Sequence, residues 1–223
     1  MRSLTLRLTP AVVVVRAWNG GQLLIALALA LGALFLVPVQ AVPVPGREGV
    51  RSLLWPLIPT LPALAAPACA SVGFRELERT GARSLPGSRA VCVVLASLAT
   101  GLVCLAGWRF DLMILFRNAA FLLGTAFACT AISPTAAWLP VSVIPMVMWL
   151  TGTQPGGIVE PWAILLLPRS SALAAWISWA AWGLGAGLLC SLRVGRGPVF
   201  ARRRRTQPRP APVPEPAGRP LRR

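Results

Sequence analysis

No lysine and no histidine occur in the 223 residues, and only six side chains are acidic. Each shortage removes a class of chemistry. Without lysine there is no Walker A phosphate loop, no Schiff base and no kinase-type nucleotide lysine. Without histidine there is no Ser-His-Asp or Cys-His pair, no zinc-protease helix and no imidazole general base. The acids are Glu48, Glu76, Glu78, Asp111, Glu160 and Glu215. None lies deep inside an apolar run, which argues against a carboxylate proton relay at mid-membrane. The sequence therefore predicts no catalytic residue, no metal site and no cofactor, and any ATP used must be hydrolysed by another chain. Cys69, Cys92, Cys104, Cys129 and Cys190 each sit within an apolar run, and no two form a CxxC. They read as small buried hydrophobes rather than as metal or redox ligands.

What is present points to a membrane. Hydrophobic residues make up 56% of the chain and charged ones only 13%, with a mean hydropathy of +0.68. A soluble domain carries about a quarter charged residues, so a water-soluble globular fold is nearly excluded. All 22 basic residues are arginine, and against six acids they leave a net charge of +16.

Crossing the hydrocarbon core takes about 20 apolar residues, and on that measure six spans are expected. They run from Gln22 to Val39, Leu53 to Val72, Ala90 to Trp108, Leu112 to Ile132, Ala136 to Thr151 and Ser170 to Leu192. The fold class is thus an all-α polytopic helical bundle. Residues 1–21 form an N-terminal segment, 22–192 the six-span domain and 193–223 a separate tail. Arginine placement orients the chain, because positive residues stay with the cytoplasmic loops. With the N-terminus inside, the inner segments hold three arginines at Arg2, Arg7 and Arg16, four between Arg75 and Arg89, and ten from Arg193 onward. The outer side receives five: Arg47, Arg51, Arg109, Arg117 and Arg169. Both termini are expected inside, in a multi-pass protein of the cell membrane. Trp18, Trp55, Trp108, Trp138 and Trp149 fall near span ends, where an indole can bury its ring and still hydrogen-bond at the headgroups.

The ends of the chain have their own character. Arg2, Arg7 and Arg16 precede the first apolar run, and Val39-Gln40-Ala41 resembles a small-residue cleavage site, so a removed leader is a competing reading of the first span. Thr9-Pro10 reads as a helix start and Asn19-Gly20-Gly21 as a stop, which places a short interfacial helix on the inner leaflet beside the alternative of a disordered basic terminus. The tail carries Arg202-Arg203-Arg204-Arg205 and then six prolines between Pro208 and Pro220. Such a segment is expected to be extended and disordered, its arginines anchoring on anionic lipid. No aromatic residue is interleaved among these arginines to stack bases, so nucleic acid is not an expected partner.

Several features could carry function. Pro56, Pro59, Pro62 and Pro67 crowd the second span, which implies a bent helix that lines a translocation path, acts as a hinge or is simply kinked. Pro140 and Pro145 raise the same question in the fifth. Between the fifth and sixth spans, Ala163 to Leu167 is too short to cross and suits a re-entrant or interfacial hairpin on the outer face. Small residues four apart, at Ala28/Gly32, Ser97/Gly101, Gly124/Ala128 and Gly183/Gly187, allow close helix approach. Trp176, Trp179 and Trp182 recur every three residues beside Gly183 and Gly187, either as a subunit interface or as ordinary packing and lipid contact. Arg117 and Asn118 are the only strongly polar pair well inside a span. Arg117 lies about 7–8 Å along its helix, where it either snorkels to the outer interface or serves a substrate path or gate. Finally, Phe74-Arg75-Glu76-Leu77-Glu78-Arg79 reads as a short amphipathic helix, with Glu76 and Arg79 paired across one turn. It is either a docking knob for a soluble partner or a solvated linker.

Six spans, a basic interfacial helix before the first, a charged helix between the second and third, and an outer re-entrant piece before the sixth resemble the membrane (permease) subunits of ABC-type exporters. The stretch Glu76-Leu77-Glu78-Arg79-Thr80 and the pair Arg117-Asn118 are also similar to segments of short actinobacterial permeases. The resemblance implies a transport subunit that associates with itself or a second permease and with a P-loop ATPase in trans. In that reading Phe74 to Arg79 dock the ATPase, while Pro59, Pro62, Arg117, Asn118 and Pro145 line the path. The alternative is a non-transport scaffold that holds partners in the membrane. A membrane enzyme stands third, for want of acid–base machinery.

Overall fold

The computed structural model describes residues 20–67 and 85–191. The N-terminal segment, the stretch holding Phe74 to Arg79, Cys69 and the arginine–proline tail lie outside the described residues.

Helix α1 spans Gly20–Leu36. It stops short of the expected Val39 because Pro38 keeps Val37 out of the helical region. A two-stranded antiparallel ribbon follows, β1 (Val42–Pro43) against β2 (Arg51–Ser52), with Val42 opposite Ser52. The second expected span does not begin at Leu53. Instead Trp55–Leu57 forms a 3-10 turn, and helix α2 begins only at residue 60 and is described through 67. The prolines explain the delay, and they do so without bending a helix. Pro56 opens the 3-10 turn, Pro59 accepts the first helical bond from the Ala63 amide at 3.2 Å, and Pro62 falls in the first turn, where a missing N–H has no partner to lose.

Helices α3 (Leu85–Ala106), α4 (Leu112–Ile132), α5 (Trp138–Thr151) and α6 (Ala172–Ser191) complete the described residues. The fold is mostly helical, as its composition implies. Among the described residues three helices, α3, α4 and α6, are long and apolar enough to cross a membrane. The other two long apolar helices are shorter: α1 has 17 residues and α5 has 14, or about 25 and 21 Å at 1.5 Å per residue against a hydrocarbon core of about 30 Å.

Helix α4 is the centre of the bundle. Its start is set by Asp111, whose carboxylate accepts from the Met113 and Ile114 amides at 3.0 and 3.4 Å, an N-cap that satisfies two otherwise orphan donors. Apolar on all sides, it is buried on most of them. Around Leu122, Leu123, Ala126 and Phe127 gather Ala63 and Ala66 of α2, Cys92, Val93 and Ala96 of α3, Val141 and Met148 of α5 and Leu189 of α6. A second cluster joins Leu115 and Ala119 to Ala30 and Leu34 of α1, Trp55, Val103, Cys104 and Phe110. Here Trp55 and Phe110 stack with centroids 5.3 Å apart. Trp55 and Trp149 are therefore buried within protein, whereas Trp108 and Trp138 are exposed at helix ends.

Helices α4 and α6 run parallel and touch backbone to backbone. A Cβ on Gly124 would overlap the Ala181 carbonyl and the Trp182 amide, and one on Gly185 would overlap the Gly124 carbonyl. Helix α3 runs antiparallel to α6, with Trp182 Nε1 donating to Ser97 Oγ at 3.2 Å and Arg89 Nη1 to the Leu189 carbonyl at 3.2 Å. Hydroxyls inside the helices bond back one turn: Thr100 to Ala96, Thr125 to Phe121, Thr130 to Ala126 and Thr151 to Val147, at 2.6–2.9 Å. Each thereby satisfies its hydroxyl within its own helix.

Candidate functional site

The largest polar assembly in the described interior surrounds Arg117 and Asn118, in the second turn of α4. Both are buried, at 5% and 0% exposure. The reason lies in the stretch between α5 and α6. Pro161 and Pro168 bracket Trp162 to Leu167, and the chain there advances through separate turns, Ala163 to Glu160 and Leu166 to Ala163, instead of a helix. Ala163, Leu165 and Leu166 anchor it in the core. Turns of this kind leave carbonyls without backbone donors, and burying them unpaired costs about 1–3 kcal/mol each.

Arg117 supplies the donors. Its Nη1 reaches the Pro168 carbonyl at 3.1 Å. Its Nη2 reaches Leu167 at 2.9 Å, Ile164 at 3.1 Å and, more loosely, Leu165 at 3.5 Å. Its Nε donates to Asn118 Oδ1 at 3.2 Å. Asn118 Nδ2 then donates both to the Leu165 carbonyl at 2.8 Å and to the Pro56 carbonyl at 2.9 Å. Two adjacent side chains thus join two stretches outside the α-helices, 53–59 with its 3-10 turn and 161–168, to the central helix. Only a guanidinium, with its planar fork of donors, can reach so many carbonyls from one Cα.

The snorkelling expectation for Arg117 gives way to this inward set of bonds. A helix-borne arginine can run to an interface only if nothing nearer needs its donors, and here the carbonyls of 164–168 do.

Other arginines act in the same way on last-turn carbonyls at helix C-termini, where the helix dipole favours a cation. Arg109 Nη2 donates to the Leu34 carbonyl and, at 3.1 Å, to that of Val37, at the end of α1. The same guanidinium lies 4.8 Å from the centroid of the Phe110 ring. Arg47 Nη1 bonds the Leu150 carbonyl in the last turn of α5 at 3.0 Å, and Arg89 does the same for α6. A buried hydroxyl pair, Thr153 to Ser52 at 3.2 Å, ties the end of β2 to the stretch that follows α5.

Of the other expected path residues, Pro59 and Pro62 are buried, the first three residues on from Pro56, and Pro145 lies on the buried face of α5 with Val141, Met148 and Trp149. The hydrogen bonds of Arg117 run to Asn118 and to the carbonyls of 164–168, and none reaches Pro145. The docking residues Phe74, Arg75, Glu76, Leu77, Glu78 and Arg79 fall outside the described residues. On α6, Trp182 is held by Ser97, but Trp176 and Trp179 are 77% and 53% exposed, and a Cβ at Gly183 or Gly187 would meet open space. Within this chain, then, the close helix crossing uses Gly124, Ala181 and Gly185, not Gly183 and Gly187. The signal was present one face over: Ala181 and Gly185 are themselves small residues four apart. Arginines at helix ends gave no comparable signal, since capping partners lie 72 to 103 residues away in sequence.

The arrangement can brace non-helical backbone deep in an apolar bundle. No family model matches the chain, and no curated protein or solved structure is significantly similar to it.

Proposed function

We propose that this chain is a multi-pass transport subunit of the cell membrane, an ABC-type exporter permease that works with a separate P-loop ATPase. The observation that carries the reading is the meeting of two non-helical stretches on the buried Arg117–Asn118 pair. Irregular backbone at membrane depth persists only where protein or a water-lined path encloses it, and transporters build their paths from such broken segments. The hydrogen bonds of Arg47, Arg109 and Arg89 support six passes with both termini inside. They gather the ends of α1 and α5 with the α3–α4 turn at one pole, and the α3 start with the α6 end at the other. Pro59 and Pro62, in the stretch that begins α2, and Pro145, on the buried face of α5, line the path. Phe74 to Arg79 receives the ATPase, whose nucleotide cycle biases the bundle between two packings, so the membrane chain needs no catalytic residue of its own.

The test is co-purification with a P-loop ATPase from the native membrane. Replacing Glu76, Leu77 and Arg79 together should release the ATPase while leaving the bundle folded. An intact complex after those changes refutes the docking role.

A non-transport scaffold is the second reading. It is favoured by the engagement of all three Arg117 nitrogens within the chain and by the exposed Trp176 and Trp179 on α6. It predicts no ATPase partner, and a phenotype that follows the arginine–proline tail or the tryptophan face; a transport defect that survives complete tail deletion separates the two.

A further inference from the structure

The geometry points to a phosphate-binding site in the loop Pro43–Arg51, at the pole of the bundle shared with Arg109 and the ends of α1 and α5. This loop encloses an open cavity of about 610 Å³, lined among others by Arg47, Glu48 and Arg51. Its frame is held from below. Val44 and Val50 are buried at 3% and 2% exposure, and the backbone closes on itself from Val44 to Val50 at 3.0 Å, from Arg47 to Val44 at 3.2 Å and from Val50 to Arg47 at 3.3 Å. The β1–β2 ladder clamps the two ends. Arg47 is further tethered through Nη1 to Leu150, which orders its guanidinium and leaves its other nitrogens for a ligand. A cavity already ordered in the free protein loses little entropy on binding.

Charge and backbone select the ligand. Two guanidiniums against one carboxylate leave a net positive charge, and Arg51 is an exposed residue with no protein acceptor among the described residues. Gly46 and Gly49 adopt φ of 73° and 74°, a conformation glycine enters freely, and open space lies where a Cβ would stand at either. The amides of Gly46, Glu48 and Gly49 donate to no backbone carbonyl among the described residues. Guanidinium forks beside bare amides match the oxygens of a phosphate mono- or diester. The site lies where apolar helices end, within reach of a phospholipid headgroup, and it is open enough to admit a free phosphate as well.

The full-length protein, reconstituted in phosphatidylcholine nanodiscs, tests this by two arms. In the first, a share of phosphatidylglycerol is introduced and lipid retained by the protein is counted by native mass spectrometry. In the second, inorganic phosphate is titrated and the thermal midpoint followed. Arg51→Gln should weaken the occupied arm about fivefold, since one arginine near an anionic surface contributes about 1 kcal/mol. Glu48→Gln should strengthen it by a similar factor. Arg169→Gln, a charge-matched change at an exposed position of the same pole, should leave it unchanged. An Arg51-dependent response in the lipid arm assigns a headgroup, and one in the phosphate arm assigns the free anion. Equal behaviour of Arg51→Gln and Arg169→Gln in both arms overturns the proposal.

Discussion

Replacing Asn118 with alanine should destabilise the bundle by about 2 to 5 kcal/mol, a value obtained from three lost side-chain hydrogen bonds at about 0.6 to 1.7 kcal/mol each in a membrane setting. The three are those to Pro56, to Leu165 and from Arg117 Nε. After the change the Pro56 carbonyl and the Arg117 Nε are buried without a protein partner, while Leu165 keeps only the 3.5 Å contact from Arg117. The site is fully buried, so water cannot fill in from outside without opening the core, and the small cavity left by the amide adds to the loss. Unfolding in mixed micelles, followed by tryptophan fluorescence, measures the difference. Arg117→Met in the same background completes a double-mutant cycle, and its coupling to Asn118→Ala should be about 0.5 to 3 kcal/mol because the two side chains share a bond and a carbonyl. A loss below about 1 kcal/mol for Asn118→Ala, together with strict additivity, would refute the claim that this pair braces the two non-helical stretches.

Gly124→Ala should separate α4 from α6 and lower stability by about 3 kcal/mol, because the new methyl overlaps the Ala181 backbone, which cannot rotate away. Gly187→Ala, into open space, should be neutral or stabilising by up to about 1 kcal/mol through helix propensity; thermal unfolding of the two variants side by side checks the contrast, and equal losses would contradict the crossing. Asp111→Ala removes the α4 cap and should cost about 1 kcal/mol, with Asp111→Asn recovering most of it, measured in the same assay.

Some elements were legible because their causes are local. The limits of α4 follow from Asp111 at one end and Ser133-Pro134 at the other, and the run between them needs no knowledge of neighbours. Helices α3 and α6 announce themselves by length and apolarity in the same way. The late start of α2 was misread for a physical reason: a proline inside an apolar run bends a helix if one has begun, but sets its first turn if none has, and periodicity alone does not distinguish the cases. Spacing alone does not say which face of α6 meets α4, because Gly183/Gly187 and Ala181/Gly185 satisfy the same rule. Arg117 stood out as a polar residue in an apolar run, yet its role depended on carbonyls of residues 164–168, which are exposed only once that stretch declines to form a helix.

Composition by itself determined that the chain forms long apolar helices. With few charges, no lysine and long apolar runs, it yields, among the described residues, three helices long and apolar enough to cross a membrane, whatever their arrangement. Tertiary structure decided which polar groups meet. Hydrogen bonds act over about 3 Å and are indifferent to sequence separation, so the pairing of Arg47 with Leu150, Arg109 with Leu34, and Asn118 with both Pro56 and Leu165 could arise only after the helices had packed.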